Sequence, residues 1–234
     1  MKLCKMILPY DRKGAENEMS DFRIKTYVLG GISTNCYVIY HEGKKEAVIV
    51  DPADNGVFLL NKCRELGVEP TAILLTHGHF DHILAVEDIR RAFHCQVYAH
   101  VDEERLLEDS SMNLSGTLGT ERMELSADEF LRDGQVIHLL GDEWKVLATP
   151  GHTAGSVCYY LESEQVLISG DTLFYESMGR TDLPTGSSSA IVKSITEKLF
   201  ALPDDTMVYP GHGDPTTIGY EKKYNPVVSY NRFR

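Results

Sequence analysis

The chain has 234 residues, 42% of them hydrophobic and 25% charged, and its formal net charge is −12. This composition is typical of an ordinary soluble globular protein, and the length suits one large domain. A surface this acidic repels phosphate backbones, so we expect no nucleic-acid partner. No apolar segment approaches the length of a membrane span, so we expect no membrane association either.

The five cysteines are scattered along the chain and form no C-x-x-C pair. This usage predicts reduced thiols in a cytoplasmic protein. The apolar run near the N-terminus is too short for a signal peptide, which favours the same location. Residues 1–20 are mixed, charged and without a period, and they are interpreted as an extension that is either disordered or the product of a misassigned start. A single domain is predicted over residues 21–234.

The first half of the chain alternates between strand and helix patterns, an α/β signature. Strands are predicted at 22–29, 35–40, 46–50, 71–75 and 96–98, and helices at 51–66 and 83–93. Residues 101–109 form a short acidic helix that we interpret as a solvated face. The Ser-, Gly-, Asn- and Thr-rich segment 110–120 is interpreted as a mobile, lid-like loop.

The second half repeats this order without a close sequence repeat. Strands are predicted at 135–139, 143–148, 156–161, 165–169 and 207–209, and helices at 188–202 and 216–223. Five predicted strands, spread over both halves, are followed by polar residues. These residues stand in Val50-Asp51, Thr76-His77, Pro150-Gly151-His152, Gly170-Asp171 and Pro210-Gly211-His212. Convergence of these strand ends along one edge of a pair of sheets would build a single site.

The densest of these motifs is Thr76-His77-Gly78-His79-Phe80-Asp81-His82, which directly follows a buried strand. His77 and His79 can aim their rings at one point, while Asp81 and His82 face a second point close by. Imidazole and carboxylate suit zinc, iron or manganese, and the cluster contains no thiolate. A polar loop that is histidine-rich by chance is the alternative, but four candidate ligands at this density favour a metal site.

The five motifs together resemble those of the metallo-β-lactamase-fold hydrolases, in the glyoxalase II-like (hydroxyacylglutathione hydrolase-like) branch. The resemblance runs from about residue 22 to the C-terminus and implies a four-layer αββα sandwich with a two-metal centre at one sheet edge. It implies that His77, His79 and His152 bind the first metal, and that Asp81, His82 and His212 bind the second. Asp171 would bridge the two metals, and Asp51 would steady the site from behind the ligands.

Two metal ions ~3.5–4 Å apart can hold a bridging water, lower its pKa from ~16 toward ~7, and polarise the carbonyl that it attacks. A thioester is a fitting substrate, because a thiolate whose parent thiol has a pKa of ~8.5 leaves without a strong general acid. Asp81 would both bind metal and orient the attacking hydroxide. We therefore expect a small thioester substrate, with S-2-hydroxyacylglutathione as the leading choice and zinc as the leading metal.

The segment from Asp171 to Asp182 resembles the one that follows the bridging aspartate in glyoxalase II. Arg180 stands where a basic residue helps to hold glutathione, and it could clamp a substrate carboxylate. The alternative is that Arg180 and Asp182 only pair with each other. The sequence stops at Arg234, so the resemblance is to a short form without the C-terminal glutathione-binding domain.

Other activities of the same fold stay open. Persulfide dioxygenases share a Gly-Arg-Thr-Asp stretch like 179–182 and use one iron, which on this chain would be held by His77, His152 and Asp171. Lactone or other ester hydrolysis would differ only in pocket shape. Antibiotic hydrolysis is disfavoured, because Asp171 replaces a cysteine ligand common among lactamases and no signal peptide is predicted. Four histidines outside the motifs are interpreted as surface or structural residues: His41, His94, His100 and His138.

Overall fold

The structure is a computed structural model that describes residues 20–119 and 121–230. Two six-stranded sheets and one small hairpin are seen in this part of the chain. The first sheet contains β1 (Phe22–Leu29), β2 (Thr34–His41), β3 (Glu46–Val50), β4 (Glu69–Leu74), β5 (Gln96–His100) and β6 (Glu129–Leu131), in that spatial order. Its first three strands form the predicted antiparallel meander, and β3 to β6 run parallel.

The second sheet has the spatial order β14-β13-β10-β9-β8-β7. Its strands are β7 (Val136–Leu139), β8 (Asp142–Ala148), β9 (Val157–Leu161), β10 (Val166–Gly170), β13 (Met207–Pro210) and β14 (Thr216–Thr217). The hairpin of β11 (Leu173–Phe174) and β12 (Ser177–Met178) follows β10. Strands β10 and β13 run parallel, so their carboxyl ends lie at the same edge.

The helices lie on the outer faces of the two sheets. They are α1 (Gly56–Leu66), α2 (Phe80–Ile83), α3 (Val86–Phe93), α4 (Glu104–Leu107), α5 (Ser188–Lys193), α6 (Ile218–Tyr224) and α7 (Val227–Tyr230). A wide helical turn over Ser194–Lys198 and a tight one over Leu199–Ala201 continue α5.

Alternating side chains of the strands build three apolar layers. On β2, Tyr37 and Ile39 point between the sheets, where they join a cluster containing Trp144 and Tyr159 of the second sheet. Residues on the opposite face of the first sheet pack with α1 and α3, and a third cluster joins the second sheet to α5 and α6. Because successive side chains of a strand face opposite sides, both sheets are buried on both faces. The predicted αββα sandwich is confirmed.

Several predicted boundaries were wrong for local reasons. Helix α1 begins at Gly56, because Asn55 caps it by accepting from the backbone N–H of Phe58. The predicted helix 83–93 is two helices, α2 and α3, and Thr216–Thr217 pairs as a strand before α6 begins. Strand β6 and the β11–β12 hairpin were not predicted because each is only two or three residues long.

The segment predicted as a mobile loop has a buried centre. Asn113 is fully buried, and its side-chain amide donates to the carbonyl oxygens of Leu107 and Met123 at 3.3 and 2.9 Å. Residues 116–118 are exposed, and their mobility stays a prediction. Within the described ranges, no helix is long and apolar enough to cross a bilayer. Most of the predicted extension, residues 1–19, lies outside the described residues.

Candidate metal centre

The five predicted strand ends meet at one edge of the sandwich. Strands β3, β4, β8, β10 and β13 each end just before a polar residue of the site. A backbone bridge between Thr34 and His212 joins the two sheets at this edge, and Asn35 donates its backbone N–H to the carbonyl oxygen of Gly211 at 2.7 Å. The loops from both halves of the chain therefore face one another.

A first cluster consists of the buried residues His77, His79 and His152, whose ligand atoms lie within 4.8 Å of one another. His79 Nδ1 lies 2.9 Å from His152 Nε2. The other ring nitrogen of His152, Nδ1, lies 2.8 Å from the carbonyl oxygen of Arg180 and can donate to it. A histidine whose far nitrogen donates in this way presents the near nitrogen in the form that binds a metal.

A second cluster consists of Asp81, His82 and His212. The Oδ2 atom of Asp81 lies 3.5 Å from His82 Nε2 and 3.4 Å from His212 Nε2. Thr34 donates its hydroxyl to the same Oδ2 at 2.8 Å. Because Thr34 belongs to the first sheet and His212 follows β13 of the second sheet, this cluster joins the two halves of the chain.

Asp171 lies between the two clusters. Its Oδ1 is 3.5 Å from His82 Nε2, while its Oδ2 is 3.5 Å from His152 Nε2 and 3.5 Å from His212 Nε2. One carboxylate thus faces ring nitrogens of both clusters. This is the position expected of a group that bridges two metal ions.

Asp51 lies behind the second cluster and is 1% exposed. Its Oδ2 accepts from His82 Nδ1 at 2.8 Å and from the Thr76 hydroxyl at 2.6 Å, and its Oδ1 accepts from the Thr76 backbone N–H at 2.8 Å. A carboxylate on the far nitrogen fixes the tautomer of His82 and leaves its Nε2 facing the cluster. This arrangement agrees with the orienting role expected for Asp51.

Four buried polar atoms of the described residues have no hydrogen-bond partner at this edge: His77 Nε2, His79 Nε2, His82 Nε2 and Asp171 Oδ1. An unsatisfied buried group costs roughly 1–3 kcal/mol, so such a concentration is expected where a ligand supplies the missing partner. The donor set of imidazole nitrogens and carboxylate oxygens fits divalent transition metals. The same donors suit zinc, iron and manganese, so they do not select one of them.

The electrostatics of the two clusters differ. Burial lowers the pKa of His77, and burial together with His152 lowers the pKa of His79 to about 3, so both rings stay neutral, the state that metal binding requires. Burial also acts on His82 and His212, but the carboxylates outweigh it. Without a metal, those of Asp81, Asp171 and Asp51 raise the pKa of His82 to about 9, and those of Asp171 and Asp81 raise the pKa of His212 to about 10.

Arg180 is largely exposed and is paired with Asp182. Its Nε and one terminal nitrogen lie 2.7 and 2.8 Å from the two carboxylate oxygens of Asp182. The pairing alternative is thus what the structure contains, and a role as a substrate clamp stays a prediction. The backbone of Arg180 has a function that the sequence did not indicate, because its carbonyl oxygen orients His152.

Glu103 was wrongly interpreted as part of a solvated acidic face. It is 1% exposed, and both carboxylate oxygens accept hydrogen bonds from the loops that carry His77, His79 and His152. Burial raises the pKa of Glu103 to about 7, although the hydrogen bonds from Thr153, Gly78 and Gly155 oppose this shift. A signal was present in the sequence: residues 101–103 follow a strand parallel to β4 and so lie at the same sheet edge as the metal loop.

The four histidines outside the motifs do not join the clusters. His41 lies between Asp21 and Asp142, His94 ends α3 in the left-handed conformation, and the His100 side chain accepts from the backbone of Asp102. His138 pairs with Glu143 across the β7–β8 hairpin. Their structural or surface placement agrees with the prediction.

The described fold and site can now be compared with known proteins. Residues 29–212 match the Lactamase_B family, described as the metallo-beta-lactamase superfamily. The chain belongs to the metallo-β-lactamase superfamily. It is 38% identical over 202 residues to the probable metallo-hydrolase YqgX of Bacillus subtilis, which covers 86% of this chain and 95% of that protein. It is 32% identical over 197 residues to the hydroxyacylglutathione hydrolase GloC of Haemophilus influenzae, covering 83% of this chain and 92% of that protein.

Solved structures are similar over the same span. The chain is 42% identical to the BLEG-1 B3 metallo-beta-lactamase, with a TM-score of 0.84 over 88% of this chain and 100% of that one. It is 35% identical to TTHA1623, which was solved in a di-iron-bound form, with a TM-score of 0.77 over 86% of this chain and 98% of that one. These similarities place the chain among metallo-hydrolases of one fold, and the names of the similar proteins point to more than one substrate.

Proposed function

We propose that the chain is a dinuclear metal-dependent hydrolase that cleaves a small thioester, with an S-2-hydroxyacylglutathione as the substrate class. The observation that carries this proposal is the position of Asp171, which faces ring nitrogens of both clusters at 3.5 Å. A single-metal site would need only one of the clusters. Here the seven proposed ligands lie in the two clusters and, for Asp171, between them: His77, His79, Asp81, His82, His152, Asp171 and His212.

Two divalent metal ions bound at such a site would lower the pKa of a water molecule toward ~7 and polarise a substrate carbonyl. Asp171, whose side chain is 10% exposed, faces both clusters and would bridge the two ions. Asp81 has a carboxylate at the opening of the site, with its side chain 14% exposed. Thr34 fixes that carboxylate through Oδ2, so Asp81 can orient the attacking hydroxide.

The thioester preference is supported by what the surroundings offer to a leaving group. The site consists of histidines and carboxylates in the two clusters. Among its described residues there is no serine–histidine pair and no pair of glutamates that would serve as a strong general acid. A thiolate needs little protonation to depart, whereas an alkoxide or an amine needs more. The similarity to the GloC hydrolase supports the glutathione-linked class.

β-Lactam hydrolysis is a second candidate, and one observation favours it. The BLEG-1 B3 metallo-beta-lactamase has the higher identity, 42%, and matches over its full length. A lactam and a thioester require the same attack on a carbonyl and differ in the leaving group. Comparing the rates at which the protein cleaves the two substrates therefore decides between the two proposed activities.

The test combines metal analysis with a substrate panel. We expect two metal ions per chain, and hydrolysis of lactoylglutathione at equal rates under air and under nitrogen. The panel also contains a chromogenic cephalosporin, an uncharged ester and glutathione persulfide with oxygen uptake recorded. One iron per chain with oxygen uptake would replace the hydrolase proposal by a persulfide dioxygenase, and faster cleavage of the cephalosporin would replace the thioester substrate.

The variant that tests the bridge is Asp171→Asn, with Asp205→Asn on an exposed turn as the control. Because metal catalysis contributes several kcal/mol of transition-state stabilisation, we expect turnover to fall by at least about 100-fold. The metal content should fall below two per chain, while the control keeps both values. Full activity of Asp171→Asn with no bound metal would overturn the mechanism.

A further inference from the structure

We infer that Glu103 is a positioning residue that holds the His77–His79 loop and the His152 loop at the spacing which the first metal ion requires. This inference rests on the proposed function only in taking His77, His79 and His152 as ligands of one metal ion. Among the buried carboxylates of the described residues, Glu103 accepts hydrogen bonds from the loops on both sides of the first cluster, whereas Asp51 bonds to Thr76 and His82.

The carboxylate of Glu103 is placed between the two loops. Its Oε2 accepts the backbone N–H of Gly78 at 2.7 Å, at the residue between His77 and His79. Its Oε1 accepts the hydroxyl of Thr153 at 2.6 Å and the backbone N–H of Gly155 at 2.9 Å, directly after His152. One side chain thus bonds to both loops, and each oxygen serves one of them.

The same contacts show why a carboxyl side chain fits here better than an amide. Three donors converge on two oxygens, and a carboxylate has an acceptor on each oxygen, whereas glutamine has only one oxygen. A glutamine would satisfy one loop with its carbonyl oxygen, but its amide would present N–H groups to a donor of the other loop. The substitution Glu103→Gln therefore keeps the shape of the side chain but replaces the hydrogen bond to one of the two loops by a contact between two donors.

The location also isolates the effect to one cluster. Glu103 bonds to neighbours of His77, His79 and His152, whereas Asp51 and Thr34 support His82 and Asp81. Loss of a partner that orients metal ligands typically costs about 10–100-fold in metal affinity. We expect that loss at the first metal ion, and an unchanged affinity at the second.

The experiment titrates the metal-stripped protein with Co²⁺, following the visible absorption spectrum, and with Zn²⁺ in competition with a chromophoric chelator. The matched control is Glu221→Gln, because Glu221 is also fully buried and accepts from Thr216 and Asn225, far along the chain at α6. Glu103→Gln should weaken one of the two binding steps by about 10–100-fold and change the spectrum of that step. Glu221→Gln should lower the thermal stability and leave both binding steps unchanged.

A milder variant, Thr153→Val, removes one of the three donors and keeps the shape of the side chain. It should weaken the same binding step by a smaller factor. In the double variant Glu103→Gln/Thr153→Val, the fold-loss of metal affinity should be smaller than the product of the two single losses, because both substitutions disturb one contact. If wild-type protein binds two metal ions and Glu103→Gln binds them with equal affinity and spectrum, the inference about Glu103 is overturned. If wild-type protein binds no metal, the proposed function fails instead.

Discussion

Replacing Asp51 tests how much stability the support behind the second cluster contributes. In the variant Asp51→Ala, three buried donors lose their acceptor: the backbone N–H and hydroxyl of Thr76 and the Nδ1–H of His82. Removing one partner of a buried charged pair costs about 3–5 kcal/mol, which is a large fraction of a typical stability of roughly 5–15 kcal/mol. For a chain of this size, that loss corresponds to a lowering of Tm by roughly 6–20 °C.

The assay is urea or thermal unfolding of metal-stripped protein, followed by far-UV circular dichroism. The control is Asp54→Ala, three residues along, where the carboxylate accepts from the neighbouring backbone N–H of Asn55. We expect that control to cost at most about 1 kcal/mol. The loss of stability in Asp51→Asn should lie between the losses in Asp51→Ala and Asp54→Ala. The amide oxygen of the asparagine can still accept a hydrogen bond, but its N–H groups face the remaining donors.

The metal-loaded proteins provide the second half of the measurement. A carboxylate that orients His82 should raise affinity for the second metal ion, so Asp51→Asn should weaken that binding step by about 10–100-fold. The reasoning would be refuted if Asp51→Ala unfolded at the same urea concentration as Asp54→Ala. An unchanged second binding step would separately refute the orienting role.

Two further outcomes are expected. At His41, burial lowers the pKa, but the carboxylates of Asp142 and Asp21 raise it above its ordinary value, so its contribution to stability is complete below about pH 6.5 and is lost as the pH rises through the folded-state pKa. The stability difference between wild type and His41→Ala in urea should therefore shrink as the pH rises above about 6.5, the ordinary pKa of histidine. A difference that grows over the same range would contradict this. In Gly211→Ala, the new Cβ would lie 2.0 Å from Asp171 Oδ1, so the metal content should fall. The control is Gly213→Ala, where a Cβ meets nothing within 4 Å. This control should cost only the backbone strain of about 1–2 kcal/mol and should keep its metal.

The parts of the fold that the sequence predicted are those with a strong local signal. Strands β3 and β4 end in the apolar runs 47–50 and 72–75, and the motifs that begin at Asp51 and Thr76 follow these runs directly, so both the elements and their convergence could be inferred. The metal-binding roles of individual residues depended on the resemblance to a family. Spacing alone indicated two points for His77, His79, Asp81 and His82, but it did not pair them with His152 or His212.

The parts that the sequence did not predict depend on distant contacts. Glu103 was misjudged because acidic residues are usually solvated, and its burial is explained only by donors that lie 25 and about 50 residues away along the chain. The hairpin β11–β12 pairs over two residues per strand, which is too short for a periodic signal. The pairing of Arg180 with Asp182 was one of two stated alternatives, and the choice between them required their side-chain geometry.

The bridge between Thr34 and His212 has a consequence for how the protein is made. Synthesis delivers the β1–β2 hairpin early, but the bridging residue His212, which follows β13, is translated long after Thr34. Until then, Asp81 lacks its neighbour His212, and Thr34 lacks the backbone bridge to the second half of the chain. The proposed catalytic centre is therefore complete only after His212 has been translated, and a chain truncated before that residue is expected to be inert rather than partly active.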